Sequence, residues 1–274
     1  MHITTGSRAK MVSDMHPRTI DFLINLAASA VFTICLVFFG WALIAIRRKP
    51  LLHFFGIVDT RHLRVYTSHV RVDPKSPFTL AVDGSLRSFA GSSVPIGEMG
   101  LLEDFYSLFS SVSLTAGADI PGELGNILFS DIRIESMPSP LSIDQIDTTN
   151  SVISFGSPAY NRVSEWIETE LHSIGRFTDD LQPKIAIPNL DPFSDPLIGF
   201  IQRTRISDRF SLAFYCAGPS EQATRAAMHF LLSRCEYLYK RFGHRENFIV
   251  ILKADAQDHR KHNLLLERGE YIRQ

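Results

Sequence analysis

The hydrophobic pattern opens with a single long apolar run. From Phe22 to Ile46 the chain carries no charged side chain, and Arg47, Arg48 and Lys49 end the run abruptly. Roughly 20 apolar residues are enough to cross the hydrocarbon core of a bilayer as a helix. Residues 21–47 are therefore expected to form a transmembrane helix after a short N-terminal tail, 1–20. A cleaved signal peptide is the competing reading, but its apolar region is only about 7–15 residues and ends at a small-residue site. Here Arg-Arg-Lys-Pro stands where that site would be. Asn25, Ser29 and Thr33 recur every fourth residue and share one helical face with Ala28 close by. Small and hydroxyl residues let helices approach and bond to each other in lipid, so the expected partners are membrane lipid and a second copy of the chain.

After the run, the pattern shifts to short segments. Residues 48–62 read as a juxtamembrane linker, apolar in Leu51-Leu52-His53-Phe54-Phe55. From 63 to 254, β-rich segments alternate with helical ones. His62 to Val72 is alternating and β-branched, and so is expected to be a strand. In Pro95 to Ser110, Met99, Leu102, Phe105, Tyr106 and Phe109 recur at three and four, the helical spacing. Asn126 to Ile134 and Ser151 to Phe155 read as strands. A helix follows with Val163, Trp166, Ile167 and Leu171 on one face. Lys184 to Ile187 is a short strand candidate, and the segment around Leu197 to Ile206 is another strand candidate. Phe210 to Ala217 and Phe248 to Leu252 are nearly unbroken apolar runs, as in strands buried on both faces. Ser220 to Phe242 between them reads as one long helix. Residues 255–274 are polar and read as a C-terminal tail.

Strand, tight glycine turn, helix, buried strand is the order of βαβ units. The expected fold class is α/β: one N-terminal transmembrane helix, then a Rossmann-like, mostly parallel sheet domain with helices on both faces. Residues 183–209 are expected to form an antiparallel excursion within it. Lys and Arg near the ends of the span set its orientation. Arg8, Lys10 and Arg18 precede it, against Arg47, Arg48, Lys49, Arg61, Arg64 and Arg71 after it. This balance puts the C-terminal domain in the cytoplasm, on a single-pass protein of the inner (plasma) membrane.

Composition then removes several function classes. The net charge of −1 argues against a duplex nucleic-acid binder. Three scattered cysteines, Cys35, Cys216 and Cys235, form no disulfide framework, and no Cys/His spacing fits zinc. The two Asp and two His of Asp255 to His262 read as solvated rather than as a metal site. No metal and no resident cofactor are expected.

The candidate chemistry sits at two strand-to-helix turns. Open parallel sheets bind ligands beyond the carboxyl ends of their strands. One such end is Phe155-Gly156-Ser157-Pro158-Ala159-Tyr160-Asn161, the other Ala217-Gly218-Pro219-Ser220-Glu221-Gln222-Ala223-Thr224. Glycine permits a sharp turn, and the free amides of a helix start favour an anion. The expected ligand-binding residues are Gly156, Ser157, Asn161, Gly218, Ser220 and Thr224, and the expected ligand is nucleotide-like. Strand-ending and helix-capping alone would explain the same residues. Glu98, flanked by Gly97 and Gly100, is the candidate acid or base. Arg203, Arg205 and Arg209 could face phosphates or simply line a solvated strand face.

The segments ISFGSPAYN and FYCAGPSEQATRAA resemble the corners of Rossmann-like nucleotide-sensing and nucleotide-processing domains of prokaryotic defence and signalling systems. They cover under a tenth of the chain. A short linker joining this fold to a span with one small, polar face leads to the first expectation, a membrane-anchored sensor of a nucleotide or phosphorylated small molecule that acts through self-association, and the resemblance agrees with it. The resemblance transfers no catalytic set. Two alternatives stand beside it: a membrane-anchored nucleoside or NAD glycosidase using Glu98, and a membrane-tethered protein interaction module.

Overall fold

The computed structural model describes residues 6–58, 62–68, 78–80, 86–88, 96–110, 132–140, 142–171, 173–178, 184–206, 211–243 and 246–271. Two compact units divide at Arg47/Arg48. The first is helical: α1 runs over Gly6–Phe54 and continues past the division. Within α1, Asp21–Gly40 is long and apolar enough to cross a membrane, and none of this stretch is buried inside the protein.

The second unit is a mixed α/β domain on a seven-stranded, mostly parallel sheet. Its strands are β1 (His62–Thr67), β4 (Arg133–Pro138), β5 (Ser151–Phe155), β8 (Ile198–Arg205), β9 (Leu212–Ala217), β10 (Glu246–Ala254) and β11 (His262–Tyr271). Across the sheet they lie in the order β11-β10-β8-β9-β5-β1-β4. The pairs β4–β1, β1–β5 and β5–β9 are parallel. Strand β8 then enters antiparallel between β9 and β10, and β11 closes the other edge antiparallel to β10. Five strands thus share one direction while β8 and β11 oppose them. Among the described residues there are also two small ribbons: β2 (Phe78–Leu80) with β3 (Leu86–Ser88), and β6 (Arg176–Phe177) with β7 (Ile185–Ala186).

Alternate residues of each strand feed opposite faces. On one face, Leu63, Val65, Ile153, Phe155, Phe214, Cys216, Phe248 and Val250 meet α2 (Ile96–Ser110), α4 (Glu221–Ser233) and α5 (Cys235–Phe242). On the other, Tyr66, Val152, Ala213, Tyr215, Ile249 and Ile251 meet α3 (Arg162–Thr169) through Val163, Trp166 and Ile167. Helices therefore cover both faces.

Several expectations are corrected in detail. Leu51, Leu52, Phe54, Phe55 and Ile57, read as linker, are core residues of the first face. Phe54 packs on Phe55, Phe214 and Phe248 at ring separations of 5.0, 5.2 and 6.1 Å. A helix end with apolar residues on every side was indistinguishable in sequence from a segment touching lipid. The single helix expected over 220–242 is two, because Arg234 leaves the helical backbone region at φ −121, ψ 17. Much of the expected tail is strand β11, ten residues paired with β10. The strand expected over 126–134 is seen as β4, beginning at Arg133 and running to Pro138; residues 126–131 lie outside the described residues. Arg203 does not face solvent. It is fully buried, its guanidinium 5.4 Å from the Phe54 ring centroid and 4.7 Å from that of Phe248. Arg209 lies outside the described residues.

Candidate functional site

Strands β5 and β9 are parallel neighbours with Phe155 opposite Cys216. The amide of Gly156 donates to the Cys216 carbonyl at 3.1 Å. The two glycine turns therefore leave the sheet side by side, at the same end. The helices that follow them go to opposite faces, α3 to one and α4 to the other. Strand β1 ends at this edge too, on the far side of β5.

The local chemistry explains why each turn forms. Gly156 has φ 87, in the left-handed region that a Cβ disfavours. A Cβ on Gly218 would fall 2.3 Å from that of Ala223, so glycine is what lets the strand end close onto α4. Asn161 is buried and caps α3: its Oδ1 accepts from the Val163 amide at 2.9 Å, and its Nδ2 donates to the carbonyls of Phe155 and Tyr66 at 2.8 and 3.2 Å. One side chain thereby ties the helix start to two strands. Ser220 caps α4, accepting from the Ala223 amide at 3.2 Å while donating to the Pro196 carbonyl at 2.6 Å. Thr224 Oγ1 accepts from the Gly218 amide at 3.1 Å and donates to the Ser220 carbonyl at 3.2 Å.

Of the six residues expected to bind ligand, Asn161, Ser220 and Thr224 thus hold the corners together, and the two glycines shape them. Ser157 is half-buried, with Tyr160 and Arg162 exposed just beyond it. Arg162 pairs with Glu165. Glu98 lies in the first turn of α2, on a different strand connection; its side chain is outside the described residues.

The edge holds two polar residues not singled out from sequence. Ser68 Oγ donates to the Phe155 carbonyl at 3.2 Å, and Ser139 Oγ accepts from the Arg162 amide at 2.7 Å. A signal for them exists: each of β1, β4, β5 and β9 is followed within three residues by a serine, namely Ser68, Ser139, Ser157 and Ser220. Behind the edge, Ser164 Oγ donates to the Gly156 carbonyl at 2.8 Å and lies 2.8 Å from Ser154 Oγ. Tyr215 donates to Glu168 Oε1 at 2.7 Å, and burial, then the adjacent Glu168 carboxylate, pushes its phenol well above the usual range. That hydroxyl stays protonated and is a fixed donor, anchoring α3 to the sheet. Among the described residues no group of three His, Cys, Asp or Glu is arranged to hold a metal ion. No protein-family model matches the chain, and comparison with curated proteins and with solved structures finds no match.

Proposed function

We propose that the chain is a single-pass membrane protein whose Rossmann-like domain binds a nucleotide or another phosphorylated small molecule at the carboxyl edge of its sheet. The observation that carries the reading is the adjacency of the Gly156 and Gly218 corners, with their helices diverging to opposite faces. In open α/β sheets helices that diverge in this way flank a crevice above the strand ends, the usual ligand position. Ser157, Tyr160 and Arg162 supply the groups that reach a ligand there. Asn161, Ser220 and Thr224 act behind them, keeping the corners rigid. Residues 21–47 anchor the domain, with the positive cluster after the span on the cytoplasmic side. The small face at Asn25, Ser29 and Thr33 brings copies together.

The test is thermal unfolding of the full chain in nanodiscs against a panel of mononucleotides, NAD and cyclic oligonucleotides. A ligand at about 100 times its Kd stabilises the folded state by about 2.7 kcal/mol. The reading expects a shift with at least one compound, abolished by Arg162→Glu and by Ser157→Trp. A folded chain that shifts with none of them refutes it.

One observation favours a second reading, a protein interaction module at the membrane. The polar side chains at both corners already satisfy backbone groups, as they would in a purely structural edge. Retained membrane attachment with no small-molecule shift, and a specific protein partner cross-linked through Tyr160, would select that reading.

A further inference from the structure

Helix α4 carries Gln222, Arg225 and His229 along one stripe, spaced by three and four. The β10–β11 turn lies along that stripe: Gln222 Nε2 donates to the Asp255 carbonyl at 3.1 Å. At the far end of the turn come His259, Arg260 and His262. The His229 ring centroid is 6.1 Å from that of His259 and 6.2 Å from that of His262, and Phe230 backs the His262 ring at 5.0 Å. The rings of His259, in the turn, and His262, at the start of β11, thus both lie close to that of His229, with an aromatic ring beside them.

The charges facing these rings are lopsided. Arg225 and Arg260 bear on His259, Arg260 bears on His229, and Arg234 bears on His262. Against them stand Asp258 in the turn and Asp104 of α2. Among the described residues, Arg225 Nε, His229 Nδ1 and His262 Nδ1 are buried without a hydrogen-bond partner at that atom, while the His262 ring also bonds the Arg260 backbone. Buried polar atoms in a purely structural cluster end on partners. A surplus of cations around unpaired nitrogens repels a metal ion and suits an oxyanion, whose oxygens accept from guanidinium and imidazole alike.

We propose that Arg225, His229, His259 and His262 form a binding site for a phosphate-type oxyanion, with Arg260 and Arg234 at its rim. The shared chemistry is a tetrahedral phosphoryl group. It comes either from a soluble phosphate or phosphomonoester, or from an anionic phospholipid headgroup. The site is separate from the Gly156–Gly218 crevice and stands whether or not that crevice binds. Without an anion, burial first and then the neighbouring cations hold all three imidazoles below their ordinary value of 6.5, and therefore neutral near pH 7. An anion reverses the balance, so binding takes up protons.

The experiment follows the histidine ring signals by NMR in the full chain, held in phosphatidylcholine nanodiscs. Sulfate is the first probe because its charge is constant with pH; inorganic phosphate is the second. The site predicts that the three rings shift together. It also predicts that sulfate affinity rises about tenfold per pH unit between pH 7.5 and 5.5 if one proton is taken up. His259→Gln, in the turn, and Arg225→Gln should each weaken binding about tenfold; both sit outside the sheet core, so folding is checked by an unchanged amide spectrum. Rings unmoved by tens of millimolar sulfate and phosphate overturn the proposal, as do variants that bind like the wild type. Replacing part of the lipid by phosphatidylglycerol separates the sources: rings that shift without added anion identify a headgroup, and rings that shift only with added anion identify a soluble phosphate.

Discussion

Truncating Phe54 to alanine tests whether the end of α1 belongs to the domain core. The side chain is 0 % exposed. It stacks on Phe248, meets Phe55 and Phe214 edge-on or tilted, and covers one side of the Arg203 guanidinium. Emptying a site of this size costs about 3–5 kcal/mol. The upper half of that range applies here, because a desolvated cation–π contact worth about 2 kcal/mol goes with the ring. In a domain of this size each kcal/mol moves Tm by about 2–4 °C, so Phe54→Ala should lower Tm by about 8–20 °C. The assay is thermal unfolding followed by near-ultraviolet circular dichroism, on the full chain in one detergent. Phe32→Ala is the control. Phe32 is 64 % exposed within the apolar segment, and its loss should leave the domain transition unmoved. Phe54→Leu should fall between the two. A shift below 2 °C for Phe54→Ala would refute the packing argument and return residues 48–57 to a linker.

Other outcomes follow from single sites. A chain starting at residue 59 should fail to give a cooperative transition, whereas one starting at residue 48 should fold; gel filtration with circular dichroism separates them. Asn161→Ala removes an N-cap and strands two buried carbonyls, so urea unfolding should register a loss of about 2–4 kcal/mol. Asn161→Asp keeps the cap but not the donors, and should lie between. The three imidazoles titrate lower when folded than when unfolded, so the unfolded chain binds more protons as pH drops below 6.5. Their contribution is complete above pH 6.5 and is lost as pH falls through the folded values. In anion-free buffer the urea midpoint should decline from pH 7 toward pH 5, and His259→Gln should flatten that decline. Alkaline carbonate should leave the full chain in the membrane pellet, and deletion of residues 21–47 should release it.

The parts of the fold that announce themselves in sequence are those with one dominant physical demand. The uncharged run before Arg47 reads as one long apolar helix and the apolar β9 and β10 segments as buried strands, and the α2 and α3 stripes mark the buried side, with Tyr106 the exception. Strand β8 enters antiparallel within the stretch 183–209 that was expected to do so. Legibility fails where a residue's environment comes from a distant part of the chain. Arg203 looked solvated because the rings that enclose it lie 149 and 45 residues away, at Phe54 and Phe248. Strand β11 looked like a tail because an edge strand need not be apolar. At the candidate site Gly156, Ser157, Gly218 and Ser220 were evident, whereas Ser68 and Ser139 were not. Whether Asn161 turns outward to a ligand or inward to the Phe155 and Tyr66 carbonyls depends on the register of β5 against β1, which no local pattern encodes.

The position of Leu51–Ile57 also sets a problem in time. During synthesis this sticky stretch leaves the ribosome directly behind the apolar run; Phe105 and Phe109, which pack on Phe55, follow some 50 residues later, but Phe214 and Phe248, which pack on Phe54, are made some 160 to 190 residues later. Domains emerging N-terminus first expose such surface until their partners arrive. Phe54 therefore stays open on that side until β9 and β10 are made, so this corner of the core closes late.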